Sequence, residues 1–211
     1  MTRLASFDCY GTLIDWEGGM RSAVPQAPPS FTSRYIEIEA EVEATYRPYR
    51  EILEIAMGRT LAEFGLAGDA KAFARSIERW PPFPETRAAL EALQAAGWRL
   101  AILSNIDDGI IAHSVKRIGV SFDWIVTAQQ VGSYKPAHGH WRRLAELSGE
   151  KRWLHVGASL YHDMAPAAAL GLPRVWINRN RETAPVALEG ELSDLAGLPG
   201  MAHSLMGSWD H

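Results

Sequence analysis

The chain of 211 residues contains one cysteine, Cys9, so no disulfide can form within it. It has no apolar run near the roughly 20 residues needed to cross a bilayer. Nor is there a charged start followed by the apolar stretch of a secretion signal. These shortages predict a cytoplasmic protein with no membrane role. A basic stripe is also missing. The 21 Lys and Arg are mixed with 25 Asp and Glu, for a formal charge of −4, which argues against nucleic acid as the main partner. No internal repeat or low-complexity tract occurs. What is present is enough chain for one sizeable domain, or a core with a smaller inserted unit, able to bury its apolar surface without staples. A small molecule is the expected partner.

Short apolar runs at 4–7, 99–103, 124–127, 153–156 and 174–177 predict strands, and helix-period segments at 85–96, 108–118, 138–147 and 163–170 fall between the later ones. That alternation predicts an α/β fold, a doubly wound parallel sheet covered on both faces. Such a sheet binds its ligand beyond the carboxyl ends of the strands. Residues 15–81 break the pattern. A proline-containing loop, VPQAPPS, leads into a long stretch rich in Glu, Ile and Ala, then LAEFGL and AKAFARSIERW, and Pro81, Pro82 and Pro84 close it. The expected organisation is a core of 1–14 and 82–211 with a helical insertion over 15–81 after the first strand, placed as a lid on the sheet's active edge. An exposed apolar face on that insertion would support a homodimer. Beyond 188 the tail reads as a polar linker and a short helix.

The predicted strands end in polar clusters. Asp8 follows LASF, Ser104 and Asn105 follow RLAIL, and Ser159 and Asp163 follow WLHV in VGASLYHD; Lys135 lies in SYKPAHGH after the third strand. Taken singly, each reads as a cap, a turn residue or a solvated charge. Their joint appearance at successive strand ends predicts a shared pocket. Cys9 alternates with Asp8 along the chain and is expected to face the packing instead.

The ordered set FDCYGTLIDW, AILSNID, SYKPAHGHW, VGASLYHD and VWINR resembles the haloacid dehalogenase superfamily and, within it, the L-2-haloacid dehalogenases. The resemblance covers nearly the whole chain. It implies a Rossmann-like core with a helical cap, a short 2-haloalkanoic acid as substrate, a 2-hydroxy acid as product, and no metal or other cofactor. Asp8 would be the nucleophile that forms an aspartyl ester, Lys135 would orient it, and Asp163 would position or deprotonate the hydrolytic water. Ser104, with backbone N–H groups at the neighbouring helix start, would hold the substrate carboxylate. Asn105 would face the halide, Thr12 would brace the nucleophile loop, and Arg34 of the cap would bind an anion, with Arg47 and Arg50 as further candidates.

Two substitutions bear on the chemistry. Superfamily phosphatases place a second acid two residues after the nucleophile, to protonate a basic leaving group; this chain has Tyr10 there. Halide leaves without a proton, so carbon–halogen cleavage tolerates the exchange. The acidic metal ligand expected after Gly157 is Ala158, which disfavours a Mg²⁺-dependent phosphatase of small metabolites. Attack on another carbon electrophile, such as a cyclic amine carboxylate, fits the same residues. The chain also departs from the dehalogenase pattern. Ala158 and Leu160 stand where Ser and Asn are expected, so Ser159 would have to serve, and Trp141 replaces an aromatic hydroxyl that Tyr134 or Tyr161 would have to supply. His162 is a candidate auxiliary base.

Overall fold

The computed structural model describes residues 3–184 and 188–207. Six parallel strands form one sheet in the order β3-β2-β1-β4-β5-β6. They are β1 (Arg3–Phe7), β2 (Trp98–Ser104), β3 (Trp124–Thr127), β4 (Leu154–Gly157), β5 (Arg174–Ile177) and β6 (Gly190–Leu192). The chain builds outward from β1 to β2 and β3, then returns to the other side of β1 for β4. The switch in strand order therefore falls between β1 and β4, where Phe7 stands opposite Val156. Such a switch opens a crevice at the strand ends.

Alternation along the strands fills both faces. Ala5, Phe7, Leu100 and Ile102 join one apolar cluster, and Leu4, Ala101, Leu103 and Val126 join another. Burying a side chain the size of Phe7 or Ile102 contributes about 1.5–3 kcal/mol. The helices covering the sheet are α5 (Thr86–Ala95), α6 (Asp108–Ile118), the four-residue α7 (Ala128–Val131), α8 (Gly139–Ser148), α9 (Ala165–Ala169) and α10 (Leu198–Gly207). Gly119 and Gly149 end α6 and α8 in left-handed conformations that cost glycine little.

Between β1 and α5 the chain forms α1 (Trp16–Ala23), α2 (Ser30–Glu43), α3 (Tyr49–Glu63), α4 (Ala70–Ser76) and a 3₁₀ turn (Ile77–Arg79), with no strand. Asp15 caps α1 and Asp69 caps α4 through their side chains. Rings tie these helices to the first loop: Tyr35 packs on Phe73 at 5.7 Å, Phe73 on Trp80 at 5.9 Å, and Trp80 on Tyr10 at 6.1 Å.

Two features differ from the sequence expectation. The helix expected at 163–170 begins with a π-helical turn (Leu160–Met164) and continues as α9. The tail adds β6 to the sheet edge, three residues too short for a period to register.

Candidate active site

β1 delivers Asp8 to the strand-end crevice and bonds it there, since its N–H donates to Val156 O at 2.9 Å. The chain then turns back on itself, with the Leu13 and Ile14 N–H groups both reaching Cys9 O. Gly11 takes φ +91°, open to glycine without strain. Arg179 clamps the turn from outside, donating to Gly11 O at 3.2 Å and Thr12 O at 2.9 Å while pairing with Glu85 at 2.8 Å.

The Asp8 carboxylate is held at both oxygens. Thr12 Oγ1 donates to Oδ2 at 2.8 Å and accepts the Ala158 N–H at 2.9 Å. Lys135 Nζ donates to Oδ1 at 2.9 Å. Its other two donors go to Leu103 O at 2.9 Å and Asp163 Oδ1 at 2.7 Å. Three ammonium protons thus meet three acceptors, with Lys135 only 2% exposed and Asp163 fully buried. Burial works against the lysine's charge, but Asp163 and Asp8 outweigh it and raise its pKa above the usual range. Burial raises Asp163 too, yet Lys135 and His155 hold it below the usual carboxylate range. In Asp8 burial wins over Lys135, with repulsion from Asp163 adding to it, so its pKa is raised. The shared lysine therefore keeps Asp163 ionised and leaves Asp8 the more basic carboxylate.

Behind Asp163 lies a buried relay. Trp153 Nε1 donates to Ser6 Oγ at 2.8 Å, Ser6 meets His155 Nδ1 at 2.8 Å, and His155 Nε2 faces Asp163 Oδ1 at 3.4 Å. Because the indole can only donate, the Ser6 hydroxyl gives its proton to Nδ1, which puts the histidine proton on Nε2, toward the carboxylate. Gly157 makes room in front: a Cβ there would lie 2.6 Å from the Asp163 carboxyl.

The crevice is a cavity of about 480 Å³, lined at the sheet edge by Asp8, Tyr10, Ser104, Asn105, Lys135, Ser159, His162 and Asp163. Tyr10 donates to or accepts from Ser114 Oγ at 2.6 Å, and burial pushes its hydroxyl pKa well up, so it is no acid at working pH. Ser104 is 2% exposed, and its hydroxyl has no partner among the described residues. Asn105 differs from expectation. Its Oδ1 accepts the Lys135 N–H at 2.6 Å and its Nδ2 donates to Lys135 O at 3.1 Å, so it braces the lysine loop and has one N–H left to offer a halide. Ser159 caps the π-helical turn through the His162 N–H at 3.0 Å, and its own N–H donates to Asp163 Oδ2 at 3.2 Å.

Arg34 requires a correction. It lies outside the cavity, where Glu63 and Glu37 take its guanidinium at 2.8 Å each, because carboxylates on its own and the facing helix are nearer than the site. Arg47 and Arg50 do not line the cavity either; Arg50 pairs with Glu78 at 2.5 Å. Trp141 is buried behind His155, its ring 5.4 Å away. The tyrosines proposed to replace it do not reach the cavity: Tyr134 gives its hydroxyl to Arg47 O and Tyr161 is 65% exposed. Besides Tyr10, the aromatic hydroxyl that lines it is that of Tyr49 of α3.

Sequence reasoning missed the Ser6–His155 relay, Arg179, and two acids on the insertion wall, Glu39 and Glu43. One signal was available: Tyr35, Glu39 and Glu43 recur every four residues, one polar stripe on α2.

A parallel sheet that sets a lysine-held carboxylate at the end of a central strand, beneath an inserted helical unit, defines a hydrolase core of the aspartate-nucleophile type. The chain belongs to the haloacid dehalogenase-like hydrolase family, whose model matches residues 2–171. It is 31% identical over 199 residues to an (S)-2-haloacid dehalogenase of Pseudomonas sp. (strain YL), covering 82% of each chain. It is also 31% identical to haloacetate dehalogenase H-2 of Moraxella sp. (strain B), covering 82% of this chain and 84% of that one. In fold it is similar to the L-2-haloacid dehalogenase of Xanthobacter autotrophicus with chloropropionic acid covalently bound. That match has a TM-score of 0.83 at 19% identity and covers 97% of this chain and 100% of the other.

Proposed function

We propose that the protein hydrolyses short 2-haloalkanoic acids to 2-hydroxy acids through an ester on Asp8. An Asp8 oxygen forms a bond to C2 as the carbon–halogen bond breaks on the opposite side, so halide leaves with its electron pair and C2 inverts. Water then adds to the ester carbonyl, the alkoxide departs with a proton, and the aspartate is regenerated. Asp163, ionised beside Lys135, orients that water. His162 lines the same cavity, and burial lowers its pKa, keeping the ring neutral and able to accept the water's proton. Thr12 and Lys135 fix both Asp8 oxygens for attack, and Ser104 offers a hydroxyl to the substrate carboxylate. The helical unit over 15–81 acts as the cap that encloses this small carboxylate.

The observation that carries the reading is the pairing of Tyr10 with Ser114. A hydroxyl so held stands where a carboxylic acid would protonate a leaving alkoxide and is a much weaker acid than that, whereas halide needs no proton. A magnesium site fits poorly. Ala158 offers a methyl where an oxygen ligand is wanted, and Oδ1 of both Asp8 and Asp163 already receives the Lys135 ammonium.

The test is chloride release from each enantiomer of 2-chloropropanoate, with single turnover in H₂¹⁸O under excess enzyme. Label should enter Asp8 before product, and Asp8→Asn, checked for deamidation, should release no chloride. Label entering the product directly would overturn the ester mechanism. A second reading, opening of a cyclic amine carboxylate by the same nucleophile, is favoured by the acidic insertion wall; it predicts no halide release from any 2-haloacid.

A further inference from the structure

The cavity holding Asp8 is closed on the insertion side by Glu39 and Glu43, one helical turn apart on α2. Glu39 Oε1 accepts the hydroxyls of Tyr35 and Tyr49, both at 2.9 Å. Among the described residues, its second oxygen and both oxygens of Glu43 have no hydrogen-bond or ion-pair partner. Two arginines line the same cavity, and their ion pairs go elsewhere: Arg21 to Glu17 at 3.9 Å and Arg179 to Glu85 at 2.8 Å. At the sheet edge the buried Ser104 hydroxyl opens on the same cavity without a partner. The cavity thus has two unmet groups: a hydroxyl next to the nucleophile, and on the cap wall a pair of carboxyl groups with no cation in ion-pair contact among the described residues.

Burial pushes Glu39 up to about 6, and burial with repulsion from Glu39 pushes Glu43 up to about 8. Of these causes only the repulsion between the two acids favours a cation; an ammonium placed between Glu39 and Glu43, which stand one turn apart on the cavity wall, relieves it as the retained proton does. An alkyl tail would press hydrocarbon on these acids, and a second carboxylate would be repelled.

We propose that Glu39 and Glu43 form an ammonium subsite, so that the preferred substrate is a 2-halo acid carrying a protonated amine at the end remote from its carboxylate. The carboxylate lies toward Ser104, C2 meets Asp8, and the amine sits against α2 beside Tyr49. This rests on the reading that Asp8 displaces halide at C2.

The experiment compares 6-amino-2-chlorohexanoate with 2-chloroheptanoate, which replaces the ammonium by a methyl of similar size. The amine should be favoured by about tenfold or more in kcat/KM, chiefly through KM, and Glu43→Gln or Glu39→Gln should collapse that ratio toward one. Calorimetric binding of 6-aminohexanoate against heptanoate reads the subsite without turnover. Chloride release from 2-chloropropanoate with no amine preference, or a preference intact in both variants, overturns the subsite and leaves the dehalogenase reading standing. No chloride release from any substrate, with 6-aminohexanoate still bound in a Glu43-dependent way, overturns the dehalogenase reading instead.

Discussion

Lys135 Nζ lies 2.9 Å from Asp8 Oδ1, and no proton of that ammonium is free for the substrate. The lysine therefore acts by holding two carboxylates apart in charge and in position. Lys135→Met would leave Asp8 and Asp163 buried without a counter-charge. The expected cost is about 3–5 kcal/mol in stability, read by denaturant unfolding. Chloride release should fall by about 10²-fold or more. A folded Met variant with near-normal kcat would refute this role.

His155 is a positioning residue for Asp163. Its Nε2–H helps keep that carboxylate ionised, so removing it raises the Asp163 pKa. The Asp163 titration, followed by its carboxyl infrared band, should then move up by about one unit in His155→Phe, with part of the shift restored in His155→Gln. An unmoved Asp163 band would mean that the ring only fills space.

Arg34→Ala should change kcat/KM by less than about twofold and leave the unfolding midpoint nearly unmoved, since its ion pairs are surface ones. A large rise in KM would return Arg34 to the substrate's anion.

Glu43 sets a pH dependence of stability. Its folded pKa of about 8 lies above its ordinary value of 4.5, so the folded chain binds more protons between those limits. Stability from this group is full below about pH 4.5 and is lost as pH rises through 8. The groups acting on it are Glu39 and, favourably, Lys135. Glu43→Gln should gain about 2 kcal/mol over the parent near pH 9 and little near pH 5, seen as melting curves that separate only on the alkaline side.

Much of the site could be read from the chain because β strands end where their apolar runs end. Asp8, Ser104 and the Ala158–Asp163 turn follow directly from strand boundaries, and parallel order brings them to one edge. Lys135 sits on a loop, yet its motif marked it. What could not be read depends on distances across the fold. His155 looks like any residue of WLHV until Ser6, 149 positions away, accounts for its buried ring. Arg34 looks like an anion ligand until Glu63, 29 positions on, claims it. The Asn105 amide is likewise drawn to Lys135, 30 positions away, with one N–H left over. Which face of α2 meets the cavity is set by its packing on α3, so the stripe of Tyr35, Glu39 and Glu43 marks one face of a helix without saying that the face meets Asp8.

Cys9 sits one residue from Asp8, fully buried, and burial with the neighbouring Asp8 charge pushes its thiol pKa well up. Alpha-halo acids are alkylating agents, and the thiolate is the form they capture. Because the chain's one thiol is sealed from solvent and kept protonated, such reagents find no thiolate on it. Prolonged exposure to excess haloacetate should leave Cys9 unmodified, as peptide mass mapping would read.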